Sequence, residues 1–344
     1  MGIRKQRVEW VDLAKAFAIY CVVFGHVEVF SMNHYGGFFY RLQDLFCMPL
    51  FFLLSGMFAK PQLTIKDSWQ CLVKRFLQLM IPFVATGSLY VLLRLNNRPW
   101  WSLIWYPDGG AHMGYWFLLV LFEMYCIFTV CQIITRKCRL GSLAGYGFLS
   151  VALVVWLLMI VVYFLKKDSP EEVWSTVVTF SRLYYNFPFF IIGYWLMNNR
   201  IILERLLRKN VFAISSFLFV LLYVAYDKYE LRSVRFILLP VVIVSILYLF
   251  KSLGGVNLFL SKYVNYCGRH TLEIYVLHYF FIPFNMPYLN DIIAPYGVKD
   301  NNIVIELFLN SFVAFIVIAA SLISARIIAE NKILSQILLG RKIV

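Results

Sequence analysis

The chain is expected to fold as an all-α integral membrane protein, a bundle of about ten transmembrane helices with both termini in the cytoplasm. Three observations carry this expectation. Of the 344 residues, 61% are hydrophobic and only 15% are charged, against about 45–50% and about 25% in soluble domains. Apolar runs recur along the whole chain at close to the ~20 residues that cross a bilayer as a helix. The net charge of +14 is concentrated in alternate connecting segments, as the positive-inside bias requires.

The expected spans are 8–30, 37–58, 71–95, 115–134, 143–165, 180–198, 211–226, 233–250, 270–289 and 303–329. Their continuous apolar character fits helices and not the alternating, roughly ten-residue strands of a membrane barrel. The first run begins with Asp12 and Lys15 and is expected to remain as a span, not to be cleaved as a leader. The eighth carries Pro240. No soluble domain interrupts the pattern, so residues 1–344 are read as one polytopic domain.

The basic segments define the expected inner side. They are Arg4, Lys5 and Arg7; Arg136, Lys137 and Arg139; Arg200, Arg205, Arg208 and Lys209; and Lys332, Arg341 and Lys342. This distribution sets orientation against anionic lipid, so membrane lipid is an expected partner and nucleic acid is not. The seven cysteines form no CxxC or Cys/His cluster, which argues against a zinc site and a disulfide framework. No metal is expected. Phosphate-loop, HExxH and nucleophile-elbow patterns are also absent from the sequence.

Ionisable residues inside spans are costly and mark function. In the first span Lys15 and His26 are eleven residues apart, which is about three helical turns. Both therefore lie on one face, about 16 Å apart along the axis. Asp12 falls on the same side. In the second span Asp44 is expected at the depth of His26, where a carboxylate would hold one imidazole nitrogen and raise the basicity of the other. Lys74 and Arg75 open the third span as cations suited to phosphate. In the fourth span Trp116 and Glu123 share a face, which His112 extends. The outer loop 96–114 holds Trp101 and Trp105 among other aromatics; it reads either as an interfacial helix or as a platform for a sugar ring. In the ninth span Tyr275 and His278 share a face. The inner stretch 251–269 is amphipathic and is expected to lie along the membrane surface.

A histidine base with a cation reaching from the cytoplasm suits acyl transfer. The base takes a proton from an alcohol and the cation holds a phosphate-bearing donor. Buried His, Asp and Glu also suit a proton-coupled transporter or a flippase of a lipid-linked sugar, although no internal repeat supports one.

Five segments occur in an order that resembles acyltransferase family 3, bacterial membrane enzymes that O-acylate cell-surface sugars. They are "WVDLAKAFAIYCVVFGH" ending at His26, "MPLFFLLSG" (48–56), "YWFLLVLF" (115–122), "FFIIGYWL" (189–196) and "GRHTLEIYVLHYFF" (268–281). The family's first span carries Arg or Lys, ten residues, then His, which Lys15 and His26 match; Arg75 matches a basic position after the second span. Many relatives have His where this chain has Cys47, and a second basic residue near Gln78. The resemblance implies an O-acetyltransferase of the bacterial inner membrane, with no permanently bound cofactor. Acyl-CoA, acetyl-CoA first among candidates, is the implied co-substrate, and the acceptor is a carbohydrate such as a surface polysaccharide or its precursor. It implies His26 and Lys15 as catalytic residues and supports Arg75 as donor-binding. From depth and shared faces Asp44 is expected to join the catalytic pair, and Lys74 and Lys15 to join Arg75 on the donor. Trp101, Trp105, His112, Trp116, Glu123, Tyr275 and His278 are the expected acceptor-binding residues. A homo-oligomer is compatible with this reading.

Overall fold

The computed structural model describes residues 9–32, 37–94, 114–166, 180–229, 234–254, 261–286 and 303–341. Every secondary-structure element among them is a helix. Among the described residues eight helices are long and apolar enough to cross a membrane, so the all-helical membrane class is as expected.

The described chain divides into two compact units. The first comprises Met1–Phe51 and Arg200–Leu322, the second Phe52–Asn199 and Ile323–Val344.

In the first unit the helix α1 (Glu9–Phe30) is uninterrupted, as a 22-residue apolar run with no Pro dictates. The first part of α2 (Phe38–Met57) packs with it through stacked rings of Phe17 and Phe46, 5.9 Å apart. After the short helix α7 (Arg200–Leu206), α8 (Lys209–Tyr229) and α9 (Arg235–Leu253) pack on each other. Between them Ser215 and Ser245 share a hydrogen bond of 2.8 Å. Helices α10 (Ser261–Arg269) and α11 (Thr271–Phe281) then run beside α1. The α12 helix (Ile303–Ala329) meets α1 where the Tyr20 and Ser311 hydroxyls lie 2.6 Å apart.

The ninth span, expected over 270–289, is helical only over Thr271–Phe281, about 16 Å, with α10 before it and a non-helical stretch after it continuing along α1. Pro283 is the reason. The residue before a proline is driven out of the helical region, and Ile282 adopts φ −64°, ψ 120°. Of the amphipathic stretch 251–269, the part that forms α10 packs along α1, with Gly268 against the backbone of Asp12.

In the second unit α3 (Ile65–Arg94) is a 30-residue helix opened by a capping box between Thr64 and Asp67. It widens into a π-helical turn over Phe76–Met80. Helices α4 (Trp116–Lys137), α5 (Tyr146–Lys166) and α6 (Phe180–Asn198) complete the bundle. The sequence expected α6 as a span; it forms as a helix of 19 residues but is not among the eight that are long and apolar enough to cross. Near its middle it crosses the end of α2 with backbones in contact. A side chain at Gly56 would overlap the Phe190 carbonyl, and one at Gly193 would overlap the Leu53 carbonyl. The amphipathic α13 (Lys332–Leu339) closes the unit against α3. Outward faces of the bundle are apolar, as at Leu158 of α5 and Phe315 of α12, which suits contact with hydrocarbon.

Candidate active site

The site is built where α11 runs parallel to α1. Gly268 meets Asp12, His278 meets His26, and the residues after α11 meet the end of α1. There the Ser31 hydroxyl donates to the Pro283 carbonyl at 2.6 Å, and the amides of Asn285 and Met286 donate to the carbonyls of Phe30 and Ser31. These bonds hold the imidazole-bearing turn of α1 against α11.

His26 is half-buried and His278 fully buried. The rings are near parallel, 11° apart with centroids at 5.1 Å. His26 Nδ1 lies 2.9 Å from His278 Nε2, and His26 Nε2 lies 3.0 Å from the Tyr279 hydroxyl. His278 Nδ1 lies 2.7 Å from the carbonyl of Tyr275 and 3.2 Å from that of Ile274.

These distances fix the tautomers. A carbonyl only accepts, so His278 Nδ1 carries the proton. With one proton per ring, His278 Nε2 is bare and accepts from His26 Nδ1–H. His26 Nε2 is then the bare nitrogen and accepts from the Tyr279 hydroxyl. The chain Tyr279–His26–His278–Tyr275 thus presents a lone pair at His26 Nε2 on the half-exposed ring. A ring held in one tautomer by a partner on its other nitrogen is the arrangement a general base needs.

The expected pairing of Asp44 with His26 does not form, because both ring nitrogens have other partners. Asp44 points outward instead. Its carboxylate lies 3.4 Å from Arg235 Nη2, which also donates to the Asp44 backbone carbonyl at 3.1 Å. The α2 residue that meets α1 beside His26 is Gln43, one position earlier. Its carboxamide occupies the space a side chain at Gly25 would need, and oriented for hydrogen bonding it donates to the Cys21 carbonyl and accepts from the Gly25 amide. Cys47 sits close by, its thiol donating to the Ala18 carbonyl at 3.4 Å.

Lys15 lies on α1, on the face it shares with His26 and half-buried. It falls between the points where α1 meets Gly268 and His278. In the facing segment Glu273 finds its partner in His270, at 3.1 Å. Tyr275 is buried and enters the site through its backbone carbonyl, not through an open ring face. His278, expected to line an acceptor site, is fully buried and lies against His26.

In the second unit Lys74 and Arg75 diverge. The Arg75 guanidinium stacks 4.2 Å from the Tyr125 ring centroid and donates to Gln78 Oε1 at 3.2 Å. Lys74 faces a groove bounded by α13. The Trp116 indole lies under the Arg182 guanidinium at 4.3 Å and against Phe52. Glu123 is partly buried, and its Oε2 has no hydrogen-bond partner among the described residues. Trp101, Trp105 and His112 lie outside the described residues. No cluster of His, Cys, Asp or Glu among the described residues has the arrangement of a metal site.

Sequence reasoning missed Tyr279 and the contact between the two histidines. The adjacent His-Tyr pair in "YVLHYFF" was the available signal. It became informative only with the parallel packing of α11 on α1.

A family model described as an acyltransferase domain matches residues 8–329. No curated protein and no solved structure is detectably similar. The match covers all the described helices but α13, including the two that hold the paired histidines, and the chain belongs to acyltransferase family 3.

Proposed function

We propose that the protein transfers an acyl group, acetyl first among candidates, from cytoplasmic acyl-CoA to a sugar hydroxyl of a surface glycan or its precursor. We place it in a bacterial inner membrane with both termini inside. The observation that carries this reading is the tautomer imposed on His26, which leaves Nε2 as an oriented base. The acceptor hydroxyl displaces Tyr279 from Nε2 and gives up its proton there. Its oxygen bonds to the thioester carbonyl carbon, the C–S bond breaks, and the departing thiolate takes the proton back from Nε2. His278 stabilises the transient imidazolium through the Nδ1 hydrogen bond.

Lys15, about 16 Å along the same helix face, suits the phosphate end of the donor, with Lys74 and Arg75 as further cations. Asp44 has no direct part in this scheme. Glu123 and Trp116 are proposed for acceptor recognition, with Trp101, Trp105 and His112.

The test is release of free CoA by the detergent-purified protein, with and without cell-envelope glycan. Glycan-dependent release that disappears in His26→Ala, with the variant still folded, is the expected result. Near-normal turnover in that variant removes the mechanism. Absence of release from any acyl-CoA by the native chain removes the donor assignment.

A further inference from the structure

A groove of about 460 Å³ lies between the first half of α3 and the C-terminal helix α13, within the ~300–1,000 Å³ typical of small-ligand sites. Its chemistry is one-sided. Lys74 and Arg341 contribute cations and Gln78 and Gln336 contribute carboxamides, while no Asp or Glu among the described residues lines it. At one wall stands Trp69, 68% exposed.

The groove is built by the backbone and not by chance side-chain approach. α13 ends at Gly340 in the left-handed region, φ 63°, with the Gly340 amide donating to the Gln336 carbonyl and the Arg341 amide to the Ser335 carbonyl. A side chain at Gly340 would overlap the Gln78 carbonyl in the π-helical turn of α3. The Thr86 hydroxyl donates to the Leu338 carbonyl at 2.9 Å. These contacts fix where the chain leaves α13 and so carry Arg341 to the groove that Lys74 lines.

We infer that this groove seats the phosphoadenosine end of the acyl donor, with Lys74 and Arg341 on phosphate oxygens and the Trp69 indole stacked on the adenine. The inference rests on the acyl-CoA reading above and adds the C-terminal helix and Trp69 to it. Phosphate is also the chemistry of an anionic lipid headgroup. Carboxamide donors and acceptors beside an exposed indole favour a purine nucleotide over a headgroup, which needs the cations alone.

The test compares two donors, acetyl-CoA and acetyl-pantetheine, which lacks the nucleotide. The native protein should show a KM for acetyl-pantetheine at least about tenfold above that for acetyl-CoA, the value of one charge-assisted contact. In Arg341→Ala and in Trp69→Ala that ratio should fall toward one. An unchanged ratio in both variants overturns the assignment, as does an equal rise in KM for both donors. Calorimetry with adenosine 3′,5′-bisphosphate reads the groove without turnover. Binding weakened about tenfold in each variant supports it. No binding to the native protein, or binding unaffected by the variants, overturns it. Sensitivity of the variants only to added phosphatidylglycerol assigns the groove to lipid and also overturns it. Failure of the native chain to use any CoA thioester would instead strike the proposed function, and the calorimetric arm would still decide the groove.

Discussion

Replacing His278 with alanine removes the acceptor of the His26 Nδ1 proton. The 2.9 Å bond between the rings is neutral at rest and becomes charge-assisted once His26 takes a proton. A hydrogen bond to a charged group contributes about 1.5–3 kcal/mol. At 1.36 kcal/mol per decade the expected fall in kcat is about 10- to 150-fold. The KM for the donor should change little, because the bond strengthens as charge develops and not on binding. His278→Gln places a carboxamide oxygen where Nε2 stood and should recover part of the loss. The assay is thiol release at saturating acceptor, with size-exclusion profile and Tm recorded for each variant. A kcat within twofold of native in His278→Ala would refute the bracing role. An equal loss in alanine and glutamine variants would show that packing, not hydrogen bonding, is at stake.

The other variants probe neighbouring contacts. Tyr279→Phe removes a bond that, in the proposed scheme, the acceptor hydroxyl displaces, worth about 0.5–1.5 kcal/mol, so kcat should stay within about tenfold of native; a larger loss would make Tyr279 a participant in proton transfer. Asp44→Asn breaks an exposed pair with Arg235 worth about 0–1 kcal/mol. Turnover should be near native, and a large drop in kcat would restore a role for Asp44 at His26. Gly193→Ala forces apart the crossing of α2 and α6 and should lower stability by about 1–3 kcal/mol, read as a fall in Tm. Adding Gly56→Ala should cost less than a second full increment, since both act on one crossing.

The shared face of Lys15 and His26 was legible because α1 is a single unbroken helix, and for such a helix spacing alone sets direction. Asp44 was misplaced by similar reasoning. Depth along a span says which residues are level, but not which way the second helix is turned. One residue is about 100°, and that step separates buried Gln43 from outward Asp44. The partner of Asp44, Arg235, is 191 positions away, and nothing local announces it. The short α11 could have been read from Pro283, whose effect on Ile282 is a local rule. The divergence of Lys74 and Arg75 could not, because it depends on the Tyr125 ring of α4 and on the groove that α13 bounds.

The hydrogen-bond chain behind His26 ends on the carbonyl of Tyr275, which can receive a hydrogen bond but cannot accept a proton and pass it on. Positive charge taken up at Nε2 can spread over two rings and go no further along this path. A proton that enters at the Nε2 edge of His26, where Tyr279 now sits, must therefore leave by the same edge. For an enzyme that moves a proton from an alcohol to a departing thiolate, such a blind alley is an advantage: the proton is returned within the site after each turnover. For a carrier that must take a proton in from one side of the membrane and discharge it on the other, the same ending would be a block.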